Sequence, residues 1–157
     1  MSLRLVQFLA IILTALSLVP AGAHLFELPN KIGLAQEAYF TVQGIYRGWA
    51  LFGLALFGAL GADLVLALML RAQRAPFWLA LLAVMLMAGT LAIFFTWTDP
   101  ANQATADWTE APANWQELRR NWEYAHAVNA GLTFLALCAV TLSALLTRDR
   151  AGRHPRP

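Results

Sequence analysis

Charge is scarce in this chain. Asp, Glu, Lys and Arg make up 13% of its 157 residues, while 59% are hydrophobic. A soluble domain carries roughly 25% charged residues, so an ordinary water-facing surface is excluded. Cysteine is nearly absent. Cys138 is the single one, which excludes an intrachain disulfide and leaves the redox compartment undefined. It reads as a small packing residue. Signature motifs are missing too: there is no phosphate-cradling glycine loop, no Ser-His-Asp order and no zinc-protease pattern. Nothing supports nucleic-acid binding, although the pI is near 9.1.

Long apolar runs take the place of charge. About 20 apolar residues cross the hydrocarbon as a helix, and four such runs are present. We place the spans at residues 5–25, 45–70, 77–97 and 115–146, the last crossing lipid from Ala127 onward. They are too long and too continuously apolar for barrel strands. The predicted fold is all-α, a four-helix transmembrane bundle over residues 1–147, with a basic disordered tail at 148–157.

The few charges are sorted by side. Arg4, Arg71, Arg74, Arg148, Arg150, Arg153 and Arg156 fall at the N-terminus, in the second connection or in the tail. In a four-span chain these regions share one face, the positive-inside pattern. Both termini are therefore expected in the cytoplasm, with the protein multi-pass in the inner or plasma membrane. Arg4, the first apolar run and Ala21-Gly22-Ala23 also resemble a signal peptide cleaved before His24. The even span count favours an uncleaved helix.

Punctuation places the connections. Pro20 and Gly22 loosen the first span, and Pro29-Asn30 ends it or begins a turn. A partial helix fits between Asn30 and Gln43. Gly44-x-x-x-Gly48, Gly53, Gly58 and Gly61 give the second span small residues for close packing or for a homo-oligomer. Thr98 to Ala113 reads as a polar loop. Asn114 with Glu117 has the capping-box pattern that starts the fourth helix at Trp115.

The candidate chemistry lies in two mirrored pairs, His24-x-x-Glu27 and Glu123-x-x-His126. On a helix, Trp115, Arg119, Trp122, His126, Asn129 and Thr133 share a stripe, with Glu123 beside it. Such a stripe belongs in the bundle interior or a wet vestibule, not against lipid. The i, i+3 spacing is that of metal ligands in helical bundles. His24, Glu27, Glu123 and His126 would suit iron, zinc or copper. A hydrogen-bonded polar plug uses the same residues, and His24 with His126 as haem ligands is a third reading. Tyr46, Arg47, Trp97 and Asn102 are placed to complete a ligand pocket with the fourth helix. Trp49, Trp78 and Trp97 also suit an interfacial belt. Asp63, alone in mid-span, reads as a proton relay, or as a group reaching the inner interface or Gln7.

The stretch Phe95-Thr96-Trp97-Thr98-Asp99-Pro100-Ala101-Asn102-Gln103-Ala104-Thr105, followed by Trp115-x-x-Leu118-Arg119-x-x-Trp122-Glu123-x-x-His126, resembles the anthrone-oxygenase-like family. His24 to Lys31, with Leu28-Pro29-Asn30, is similar to a bacterial subgroup of it. The resemblance implies a small four-helix membrane protein. For the fungal members it also implies oxidation of anthrones to anthraquinones by dioxygen without a cofactor. His126 or Glu123 would then be the base and Arg119 would steady the phenolate, with Trp115 and Trp122 stacking on the ring. Asn129 stands where members often carry an arginine, so architecture transfers further than substrate. The expected function is an oxidoreductase-like membrane enzyme for an aromatic or quinone-type ligand. The other reading is a non-enzymatic subunit or small transporter.

Overall fold

The computed structural model describes residues 2–148. The expected tail lies outside the described residues except for Arg148. The chain is helical: α1 (Leu3–Lys31), α2 (Gln36–Gln43), α3 (Phe52–Leu70), α4 (Arg74–Ile93), α5 (Asp99–Ala104) and α6 (Trp115–Leu146). Four stretches are long and apolar enough to cross a membrane: Leu3–Lys31, Trp49–Leu70, Arg74–Ala104 and Trp115–Leu146. The chain is a multi-pass, four-helix membrane protein, with α1 and α4 each packing on both α3 and α6. Both described ends of the chain lie at one end of the bundle, the terminus end. The connections around α2 and after α5 form the loop end.

Alanine builds the core of the terminus half. Ala10, Ala59, Ala67, Ala80, Ala83, Ala136 and Ala139 are buried with Val6, Leu66, Leu70 and Val140. Lipid gives no hydrophobic drive for helix association, so close backbone approach and dispersion must supply it, and small side chains permit both. Gly58 fits this logic, since a Cβ there would sit 3.3 Å from Leu13. The other glycines of the second span behave differently. Gly53 and Gly61 have no neighbour at the Cβ position. Gly44 and Gly48 precede α3 altogether: Gly44 opens the 3₁₀ turn Gly44–Tyr46, and Gly48 caps the 3₁₀ turn Trp49–Leu51 with a left-handed φ of 88°. That conformation, not helix packing, calls for glycine there.

Two boundaries differ from the sequence expectation, and one cap does. First, α1 passes through Pro20 and Pro29 and ends at Lys31. A proline removes one backbone bond, and here the continued helix keeps His24 and Lys31 buried. Second, the third span continues past Trp97 through a π-helical turn, Phe94–Thr98, into α5. Pro100 sits in the first turn of α5, where its missing N–H costs little. The fourth helix runs Trp115–Leu146 as expected, with Asn114 at its N-cap, but the Asn114 side chain makes no capping hydrogen bond. Its carbonyl accepts from Glu117 and Leu118 instead.

Candidate functional site

The π turn and the loop after α5 build one wall of the loop end. A π turn adds a residue to the helical register and re-aims the side chains beyond it. Here Thr98 and Ala101 turn inward while Trp97 faces out. Ala106, Asp107 and Trp108 then take left-handed φ values of 45°, 54° and 64°. Such residues cost roughly 1–2 kcal/mol each. Local bonds hold them: Asp107 N–H donates to the Asn102 carbonyl, and Trp108 N–H donates to Thr105 Oγ1. The result drives Trp108 under Tyr39. Asn102 Oδ1 accepts from the indoles of both Trp108 (3.1 Å) and Trp122 (2.8 Å).

A buried ammonium organises the centre. Lys31 is 3% exposed. Its Nζ lies 3.1 Å from Glu123 Oε1 and 3.7 Å from Glu27 Oε2, and it donates to the Tyr46 hydroxyl. The Tyr46 hydroxyl donates to Glu27, Tyr39 donates to Glu123 Oε1 at 2.8 Å, and Gln43 Nε2 donates to Tyr39. Ring faces complete the cage, with Nζ 4.2 Å from the Tyr46 centroid and 4.8 Å from that of Trp122. A buried ion needs this density of partners to offset its lost hydration. Burial first, and the adjacent carboxylates second, push the phenols of Tyr39 and Tyr46 well above the ordinary tyrosine range. Both therefore serve the carboxylates as donors.

The imidazoles form the adjoining layer. His24 stacks on His126 with centroids 4.1 Å apart and planes 30° from parallel. Trp122 meets both rings edge-on, and Tyr46 and Trp49 close the other side of His24. His24 is buried with Nδ1 unpartnered, whereas His126 is half-buried.

The two mirrored pairs do meet, but as two sub-sites. The carboxylates close on Lys31 and the imidazoles close on each other. Among the described residues, no group of three or more His, Cys, Asp or Glu side chains is arranged to hold a metal ion. The two imidazoles contact each other directly and are not spaced here as axial ligands of one iron. Arg119 lies two turns from His126. It donates to the Leu34 carbonyl at 2.7 Å, and its guanidinium rests over Trp115 and Tyr39. It clamps the connection after α1 rather than facing the imidazoles. Asn129 is buried one turn below His126 with Oδ1 unpartnered. Arg47 is exposed. Trp97 joins Arg120, Asn121 and Tyr124 on a shallow groove of about 550 Å³. That groove occupies the α6 face turned away from the cluster, so Trp97 does not share a pocket with Tyr46 and Asn102.

Lys31, Tyr39 and Gln43 are site residues that the sequence reading misses. For Lys31 a signal exists: His24, Glu27 and Lys31 stand at i, i+3, i+7 once the helix is carried through Pro29. Comparison of the chain with family models, curated proteins and solved structures finds no match.

Proposed function

We propose that this integral membrane protein binds a small electron-rich aromatic, of phenol or quinol type, against the His24–His126 pair. The single observation that carries this reading is the pair itself. A half-buried imidazole stacks on a buried one in an aromatic box, one layer from an ammonium held by carboxylates. His126 is the reachable base. The cation nearest it is Lys31, which takes the phenolate-stabilising role in place of Arg119. Glu123 is spent on Lys31 and Tyr39 and acts as a positioning residue. The family resemblance supplies the expected outcome: a ring methylene gives up two hydrogens and gains one atom of dioxygen as a carbonyl, the other leaving as water. The arginine asymmetry supports an extracytoplasmic face for the site.

A second reading is favoured by one observation. Lys31 is already neutralised within the cluster, as expected of a polar plug that fixes the shape of a non-enzymatic subunit. Purified protein titrated with a dihydroxyanthrone separates the two. Site binding predicts quenching of tryptophan fluorescence and oxygen uptake. His126→Ala should lower the uptake by about 10²–10⁴-fold. No quenching and no uptake above protein-free controls would favour the plug.

A further inference from the structure

Asp63 is a buried carboxylate that the proposed chemistry leaves unused. It is fully buried on α3. Its Oδ2 accepts from Thr14 Oγ1 at 3.5 Å, and its Oδ1 has no hydrogen-bond partner. Acids at such depth are costly to keep and mark proton or ion paths in membrane proteins.

Polar groups continue from Asp63 toward the loop end. Ser17 and His24 come after Thr14 on the buried side of α1, and Thr133 and Asn129 line α6. The stacking of His24 on His126 fixes the register of these antiparallel helices. Ser17 then stands level with Thr133, and Asn129 stands between that layer and the imidazoles. Gly89 against Leu132 brings Thr90 of α4 to the Thr133 layer. At 1.5 Å per residue, the axial steps are about 4.5 Å from Thr14 to Ser17, about 6 Å to Asn129 and about 4.5 Å to the imidazoles. One water, with two hydrogen bonds of about 2.8 Å, spans an axial step of about 4.5 Å, and the step of about 6 Å to Asn129 takes two. Among the described residues eight buried side-chain polar atoms lack partners, and three of them, Asp63 Oδ1, Asn129 Oδ1 and His24 Nδ1, belong to residues of this file; Gln43, Thr98, Arg119 and Glu123 carry four at the loop end, and Gln7 carries one toward the terminus end. An unpartnered polar atom in a buried position is a site for a bridging water, and these three fall at successive levels between Asp63 and the imidazoles.

Toward the terminus end the surroundings change. Val6, Ala10, Leu66, Leu70 and Val140 form a dry layer. Gln7, whose Nε2 is unpartnered, and Ser143 are the polar groups in it; Ser143 donates to the Pro76 carbonyl, as Ser17, Thr90 and Thr133 of the file donate to the Leu13, Met87 and Asn129 carbonyls.

We infer that the polar file is a proton half-channel. Asp63 is a membrane-embedded proton-binding site, loaded and emptied from the loop end through Asn129 and the His24–His126 pair. The Val6–Leu66–Leu70 layer seals it from the terminus end. The transfer breaks an imidazolium N–H bond and forms an O–H bond at Asp63, with no other bond changed. It stands independently of any phenolic ligand.

Infrared spectroscopy of the full chain in neutral phospholipid vesicles tests this. The carboxyl C=O band is monitored after transfer from H2O to D2O. A buried carboxyl band, absent from Asp63→Asn, should shift promptly in the wild type. In Asn129→Leu and Thr133→Val, which match the native shapes, the shift should slow by about tenfold or more. Circular dichroism checks the fold, and either variant alone carries the comparison if the other fails to assemble. The absence of an Asp63 band overturns the proposal. So does wild-type exchange in the folded variants, which would place the entry at the other end.

Discussion

Replacing Lys31 by methionine tests the centre of the site. Methionine keeps the aliphatic stem and removes the ammonium, its charge and its hydrogen bond to the Tyr46 hydroxyl together. Glu123, fully buried, would retain the Tyr39 hydroxyl as its one strong partner. Breaking a buried pair by removing one ion costs about 3–5 kcal/mol, because the other charge stays behind. The Glu27 pair adds little: that carboxylate is 34% exposed, and exposed pairs contribute about 0–1 kcal/mol. The total remains about 3–5 kcal/mol, which for a chain of this size lowers Tm by about 10 °C. Thermal unfolding in detergent, read by circular dichroism, measures it. The double variant Lys31→Met/Glu123→Gln should recover about 2 kcal/mol or more, since no fully buried charge then remains and Glu27 is partly exposed. A single variant within about 1 kcal/mol of wild type, or strictly additive losses, would refute the claim that Lys31 neutralises Glu123.

The geometry sets two further outcomes. Asn102→Leu removes the shared acceptor of two indoles, which should cost about 1–3 kcal/mol for each N–H left buried, with a shift in tryptophan emission; Asn102→Asp, which keeps the acceptor, should retain most of the stability. Tyr39 and Tyr46 have folded-state pKa values raised above the unfolded value of about 10. Their contribution is complete below pH of about 10 and is lost as pH rises beyond it, because the unfolded chain then binds fewer protons. Stability measured between neutral and strongly alkaline pH should fall at the alkaline end, and Tyr39→Phe/Tyr46→Phe should flatten that fall.

Much of the site is legible on α6, because a helix turns spacing into direction. Trp122, Asn129 and Thr133 are buried where the stripe requires, and Glu123, beside it, is fully buried. The partner helix is harder. Pro29 has the local character of a stop, yet α1 runs two residues beyond it, and those two residues bring in Lys31. Local rules weigh one lost backbone bond, whereas the folded chain weighs that bond against an ammonium meeting two carboxylates. Tyr39 sits 84 residues before Glu123 on a short connecting helix, and no periodicity links them. The Asp99-Pro100 pair has the composition of a loop for a similar reason. Only the preceding π turn shows why the helix continues.

What the sequence alone determined was the class of molecule. Hydrophobicity adds up residue by residue, so four long apolar runs suffice to specify four membrane-length helices and to confine the polar groups to particular faces. What the tertiary structure decided was which polar groups meet. Charge pairing and ring stacking act over a few ångströms, so a small change in helix length or register exchanges every partner. That sensitivity is why the His and Glu pairs, which look like one four-ligand set on paper, fold into a lysine-centred ion cluster beneath a stacked pair of imidazoles.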